Sequence, residues 1–227
     1  AGMYSLVRPL LFRLSPETAH DLILKTIGLI GRIHPLNQYL ADTCRGPRPS
    51  IPVDAMGLSF PNPVGLAAGL DKDAKAVDGL AALGFGFLEL GTVTPLPQSG
   101  NPRPRMFRLT SAQALVNRMG FNSGGLNLFL ARLGQQHQQT IIGINLGRNA
   151  ATSNEDAWRD YLTGLRAVYR VADYVTINIS SPNTEGLRDL QERDALDSLI
   201  QYLKNEQTRL ADLHQTYTPI AVKISPD

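Results

Sequence analysis

Polar side chains inside apolar, strand-like runs are the chemically loaded positions of this sequence. Asn145 falls within IIGINLG (141–147), Asn178 within YVTINIS (174–180), Thr92 near the end of GFLELGTV (86–93) and Lys223 within IAVKIS (220–225). Asn is depleted in strands, and a buried amide or ammonium is costly unless it is partnered. A single such Asn is as readily satisfied by backbone as by a ligand. Two of them, with Lys223 flanked by Val222 and Ile224, favour a polar ligand in a preformed pocket. Its electron-rich oxygens and nitrogens would compensate the lysine.

Three further stretches carry side chains of the same kind. In AAGLDK, Gly69 allows a flat ligand to approach the backbone, and Lys72 could hold an anion as a point charge. Taken alone, Lys72 reads more simply as an exposed lysine at a helix start. The segment Thr94–Gly125 is longer than an ordinary connection, as lids and binding loops are. It contains Arg103, Arg105 and Arg108, of which Arg103 reads best as surface charge. It also contains Asn117-Arg118-Met119-Gly120-Phe121-Asn122, a mixture suited to a small planar polar molecule. Finally, Ser180 and Ser181 precede Pro182. No GxSxG pattern or nearby His activates either serine, so chemistry alone makes Ser181 a turn residue.

The elements that would position these residues alternate. Strand-like runs at 64–69, 86–93, 141–147, 174–180 and 220–225 lack polar alternation, as parallel strands buried on both faces do. Helical patterns separate them at 72–83, 127–138, after the capping-box-like Ser153-Asn154-Glu155-Asp156, and from Leu196 to Leu210. The polar residues cluster at nearly every strand end, which favours a (β/α)8 TIM barrel over a doubly wound sheet with one switch point. No GxGxxG or GxxxxGK[ST] loop follows the first run. Five strands do not close such a barrel, so the chain is expected to be about five-eighths of it and part of a longer protein. Upstream, residues 3–43 carry two helical patterns, the second opened by Ser15-Pro16-Glu17. Residues 45–63 read as a linker with a short hairpin around Ala55–Gly57.

The bulk composition excludes several classes. The chain has 227 residues, 43% hydrophobic and 19% charged, enough for a sizeable core. A net charge of +2 is too mild for nucleic acid to be the main partner. The single Cys44 allows no intrachain disulfide, and no CxxC or HExxH suggests a metal site. There is no membrane-spanning run and no leader pattern. The composition is that of a cytoplasmic α/β protein.

Taken together, AAGLDKD, ELGTVTP, PRMFRL, NRMGFNSGG, GINLGRN, NISSPNTEGLRDLQ and PIAVKISPD resemble the class 2, quinone-dependent dihydroorotate dehydrogenases. The resemblance runs along essentially the whole chain. It implies a barrel with bound FMN, oxidation of dihydroorotate to orotate in pyrimidine synthesis, and electron transfer to a membrane quinone. It implies FMN contacts at Ala68, Gly69, Thr92, Asn145, Asn178 and Lys223. Substrate contacts follow at Lys72, Asn117, Met119, Gly120, Phe121, Asn178 and Asn183, with Ser181 as the base. Cys44 lies before the barrel and is not the active-site cysteine that class 1 relatives use. The apolar N-terminal helices, which composition alone would pack on the barrel, become under the resemblance a quinone and membrane segment over residues 1–44. His20 and Arg108 then belong to the quinone site, and residues 45–227 form the barrel. The expected location is peripheral, on the cytoplasmic face of a bacterial inner membrane, with no protein partner required. Without the loops after strands seven and eight, this polypeptide alone is expected to bind FMN poorly and not to turn over. The alternatives are another FMN barrel oxidoreductase of the class 1 type and a non-catalytic membrane-surface module.

Overall fold

The computed structural model describes residues 3–45, 51–136 and 140–226. It begins with three helices where the periodicity suggested two: α1 (Met3–Leu11), α2 (Pro16–Arg32) and α3 (His34–Arg45). Ser15 caps α2, its Oγ accepting the Thr18 N–H at 3.2 Å, and Pro16 occupies the first turn. The break after Arg32 falls at Ile33, whose backbone is extended (φ −101°, ψ 96°). Pro35 explains it, since a proline two residues on cannot continue the helical hydrogen bonding.

A hairpin follows, β1 (Val53–Ala55) with β2 (Leu58–Phe60). Its two-residue turn puts Met56 (φ 55°) and Gly57 (φ 79°) in the left-handed region, as the expected hairpin requires. The remaining linker residues 46–50 lie outside the described residues.

The chain continues through β3 (Gly65–Leu66), α4 (Val77–Ala82), β4 (Phe87–Val93), β5 (Met106–Leu109), β6 (Ala114–Asn117) and α5 (Gly125–Leu133). It ends with β7 (Ile141–Leu146), α6 (Ala157–Val168), β8 (Tyr174–Asn178), α7 (Arg193–His214) and β9 (Ile220–Lys223). Five strands form one parallel sheet in the order β3-β4-β7-β8-β9. That order follows the chain without reversal, as in a (β/α)8 barrel and unlike a doubly wound sheet. The architecture is α/β, five consecutive barrel strands behind an N-terminal helical segment.

Four expectations need correction. The strands are shorter than the apolar runs, so Ala68, Gly69 and Ser180 lie in the loops beyond them. The helix expected over 72–83 starts only at Val77, because the Asp71 carboxylate takes the N–H groups of Lys75 (2.9 Å) and Ala76 (2.8 Å) and holds a turn there. The segment 94–125 is not one open loop: β5 and β6 pair antiparallel within it, turning at Gln113 (φ 50°). The expected helix over 127–138 is α5, shifted to 125–133, and residues 137–139 lie outside the described residues.

The core lies between the sheet and the helices on its outer face. Leu88, Leu90, Ile144, Val175 and Ile177 meet Leu80, Phe129, Tyr161, Leu165 and Leu203. Burying side chains of this size contributes about 2 kcal/mol each. The N-terminal helices dock on α4 through close backbone approach. A Cβ on Gly31 would come within 2.5 Å of the Gly79 nitrogen, so α2 and α4 need glycine at their crossing. The other face of these helices stays open, with Leu6, Leu10, Leu22, Leu29 and Tyr39 exposed. No helix among the described residues is long and apolar enough to cross a membrane.

Candidate active site

Three polar residues from adjacent strands interlock at the C-terminal ends of β4, β7 and β8. Thr92 Oγ1 donates to Asn145 Oδ1 at 2.6 Å, and Asn178 Nδ2 donates to both Thr92 Oγ1 (3.1 Å) and Asn145 Oδ1 (3.2 Å). All three are buried. Asn178 turns its Oδ1 outward, where it accepts the Ser180 N–H (3.1 Å) and hydroxyl (2.9 Å). The loop bearing Ser181 is thereby hung directly on the strand-end amide.

The loop after β3 lies alongside this cluster. Gly69 N donates to Gly91 O at 2.7 Å, and Gly91 N to Asp71 O at 3.0 Å. Gly69 takes φ +113°, which a side chain would resist, and open space lies where its Cβ would be. Lys72 Nζ donates to Gly69 O at 2.7 Å. Burial pushes the Lys72 ammonium below the usual lysine range, Arg105 adds to the fall, and Asp73, Glu17 and Asp21 oppose it. A desolvated ammonium with a carbonyl partner is suited to receive an anion.

On the other side, the β6–α5 loop and the Ser181 loop come together. Met119, Gly120 and Phe121 are buried, and Phe121 holds φ 52°. A Cβ on Gly147 would meet both Thr92 Cγ2 and the Phe121 ring, so this loop packs against the polar cluster. Asn117 is exposed, its Oδ1 accepting the Met119 N–H at 3.4 Å. Asn101 bridges the loops, giving Nδ2 to Arg118 O (2.9 Å) and to Asn183 O (3.3 Å). Ser181 Oγ accepts the Asn183 N–H at 3.2 Å, the turn geometry that its chemistry suggested.

Lys223 departs from the expectation of a buried lysine. It pairs in register with Asn178, but its side chain is exposed because β9 is the edge of the sheet. It lines a cavity of about 460 Å³ together with Ala68, Glu89 and Thr176. His20 and Arg108 lie apart from the strand-end cluster, at the seam with the N-terminal helices. His20 Nε2 is 2.7 Å from Leu70 O, and Arg108 Nη1 donates to Leu14 O at 2.8 Å while stacking over Phe12.

Four residues escaped the sequence reading. Gln98 gives Nε2 to Gly120 O (3.2 Å) and Phe121 O (3.0 Å), and Arg148 gives Nη2 to Glu185 O at 2.8 Å. Asn101 is the bridge described above. Glu89 is the fourth, accepting from Asn145 Nδ2 at 2.7 Å. Only Glu89 carried a signal, a carboxylate in the middle of GFLELGTV, as anomalous there as the two asparagines.

Comparison with known proteins gives this arrangement its relatives. The family model described as dihydroorotate dehydrogenase matches residues 50–227. A dihydroorotate dehydrogenase (quinone) of Azotobacter vinelandii is 56% identical over 99% of this chain and 63% of its own length. One from Marinobacter nauticus is 52% identical over 99% of this chain and 65% of its own. The chain thus spans a little under two thirds of the relatives it matches. Among solved structures, a DHODH from Eimeria tenella in complex with ferulenol superposes with a TM-score of 0.76 at 39% identity, covering 93% of this chain and 60% of that one. With the family model matched across the strand-end cluster and both flanking loops, the chain belongs to the dihydroorotate dehydrogenase family.

Proposed function

We propose that the full-length protein oxidises (S)-dihydroorotate to orotate with bound FMN and passes the electrons to a membrane quinone, a step of pyrimidine synthesis. The observation that carries this reading is the Thr92–Asn145–Asn178 cluster with the Ser181 loop hung on it, in a chain of this family. The residues present fit the ring end of FMN. Gly69 leaves open space for a flat ring, with the Lys72 ammonium on its carbonyl and its N–H on the strand end that bears Thr92. Ala68, Gly69, Thr92, Asn145, Asn178 and Lys223 would hold the flavin. When bound, FMN supplies the hydride acceptor.

The chain's own residues do the rest. Lys72, with its ammonium already desolvated, pairs with the substrate carboxylate. Asn117, Asn178 and Asn183, with the backbone of Met119, Gly120 and Phe121, hold the pyrimidine ring and stabilise charge on its carbonyls. Ser181 removes the C5 proton. A free serine is a poor base: its own proton must pass to water for Oγ to take the C5 proton, and the Asn183 N–H directed at Ser181 Oγ stabilises the alkoxide character that this requires.

Residues 1–44 serve the quinone and the membrane, and residues 45–227 the flavin barrel. His20 and Arg108 at the seam between them border the quinone path. The exposed leucines of the N-terminal helices support peripheral membrane attachment, and the expected surface is the cytoplasmic face of the inner membrane. The test is optical. Dihydroorotate should bleach the flavin absorbance of the full-length protein, and a quinone should restore it where fumarate and NAD do not. Restoration by fumarate or NAD, or no bleaching, overturns the reading.

A further inference from the structure

Glu89 lies one layer below the strand-end cluster, and three donors converge on its carboxylate. Asn145 Nδ2 reaches Oε1 at 2.7 Å, while the hydroxyls of Tyr174 (3.1 Å) and Thr176 (3.2 Å) reach Oε2. Among the described residues no cation lies within ion-pair distance of it. Burial, with the neighbouring Glu89, pushes the Tyr174 hydroxyl well above the usual tyrosine range, so it remains a donor.

The hydrogen bonds above Glu89 leave no freedom of direction. A carboxylate only accepts, so Asn145 must present its NH2 downward and its Oδ1 upward. That oxygen takes the single proton of Thr92 Oγ1, which can then only accept from Asn178. Asn178 spends its NH2 on Thr92 and Asn145, and its Oδ1 must face Ser180. An Asn amide is nearly symmetric in shape, and its orientation is set by its partners alone. Glu89 is the one member of the chain with no second option.

We infer that Glu89 is a positioning residue: its carboxylate fixes the amide of Asn145, and through it the amide of Asn178, with Oδ1 turned to the outer side of the cluster, where it holds the Ser181 loop. This rests on the reading of Asn178 as a substrate contact. Among the hydrogen bonds of the described residues, Glu89 makes none to Asn178 or to the Ser181 loop. The chain of bonds carries its effect across two strands.

The test is a double-mutant cycle on orotate binding to the full-length flavoprotein, read by flavin absorbance, with flavin content and melting temperature as controls for folding. Glu89→Met removes the acceptor, and orotate affinity should fall at least tenfold. Glu89→Gln keeps an acceptor for Asn145, since the Tyr174 and Thr176 hydroxyls can turn to receive its NH2; affinity should stay within threefold. In an Asn178→Ala background, Glu89→Met should cost less than twofold, because the residue it acts through is gone. An equal loss in both backgrounds, or no loss in either, overturns the inference. Should Glu89→Met fail to retain flavin, Glu89→Asp withdraws the carboxylate from Asn145 while keeping its charge, and the same coupled loss is required of it. Unimpaired orotate binding by Asn178→Ala alone instead overturns the assignment of Asn178, and the relay with it.

Discussion

Arg105 and Glu17 meet at 2.6 Å across 88 positions of sequence, joining the loop after β4 to the first turn of α2. The guanidinium Nε also reaches both carboxylate oxygens, at 3.1 and 3.3 Å, and the two side chains are 6% and 12% exposed. The same guanidinium donates to Ser99 O (2.6 Å) and Asn101 O (3.1 Å). Asn101 in turn ties Arg118 to Asn183. One buried cation therefore connects the N-terminal helices to both loops of the candidate site.

Removing Glu17 should strand that cation. Glu17→Ala is expected to destabilise the protein by roughly 3 kcal/mol, as uncompensated buried charges do, while Glu17→Ala with Arg105→Met should cost markedly less. Urea unfolding of both variants checks it. The hydrogen bond from Arg105 holds the Glu17 carboxyl below its usual value. A depressed carboxylate contributes stability above the ordinary carboxylate range and loses it as pH falls through the folded value. The wild type should show this acid loss and the double variant should lack that component.

Ser181→Ala separates base from turn. The Ser181 hydroxyl accepts only the Asn183 N–H among its hydrogen bonds in the described residues, so its loss removes little structure. Flavin content should hold, and the rate of flavin reduction by dihydroorotate should fall at least a hundredfold in stopped-flow absorbance. A wild-type rate would leave Ser181 as a turn residue.

The degree to which this site can be read from sequence follows from what each residue breaks. Asn145 and Asn178 violate the apolar pattern of their strands, and so they stand out. Glu89, between Leu88 and Leu90, violates it equally, and its partners Tyr174 and Thr176 are 85 and 87 positions away, brought to it only by the fold. Asn101 and Gln98 break no rule, because polar residues in a loop are ordinary; only the fold, by bringing residues 98–101 beside 118–121, gives them partners. The β5–β6 hairpin was hidden for a related reason, since β5 alternates only between half-buried and exposed positions and β6 is exposed throughout, so neither strand has a buried apolar face. Lys223 reads as buried from Val222 and Ile224, yet burial at a sheet edge depends on a neighbouring strand.

Lys72→Met should weaken orotate binding by at least tenfold while leaving flavin content near wild type, because the ammonium is the anion's partner. Its titration gives a second signature. With the folded pKa lowered by burial, the folded chain holds fewer protons than the unfolded chain between that value and the ordinary lysine range. Stability from this group therefore rises with pH across the window, and Lys72→Met should flatten the rise. Orotate affinity should fall over the same window as the ammonium loses its charge.

Glu206 pins α7 to α6 from outside the site. Its carboxylate receives Arg166 Nε at 2.8 Å and Arg209 Nη2 at 2.6 Å, and these two partners hold its pKa down to about 2 from an ordinary 4.5. The stability it contributes is complete above about pH 4.5 and declines as pH falls toward 2. Glu206→Gln should lower the melting temperature at neutral pH and make it less sensitive to acid between those limits. An unchanged acid slope would show that the pair is screened by solvent.

The open face of the N-terminal helices should bind membrane. Leu6 and Leu10, 75% and 61% exposed, lie one turn apart on α1, and Leu29 on α2 is 60% exposed. Deleting residues 3–43 is a blunt test, because it also removes Glu17 from beneath Arg105 and reports stability together with membrane contact. Leu6→Glu with Leu10→Glu changes only the exposed surface. The pair of carboxylates opposes insertion of the apolar face into the lipid boundary, where each buried leucine contributes about 2 kcal/mol. Co-sedimentation with lipid vesicles should fall at least tenfold, and reoxidation by a quinone held in those vesicles should slow in proportion. Flavin reduction by dihydroorotate should stay at the wild-type rate, since both leucines are exposed and neither is among the residues assigned to flavin or substrate. Undiminished sedimentation would mean that this apolar face is not the membrane contact.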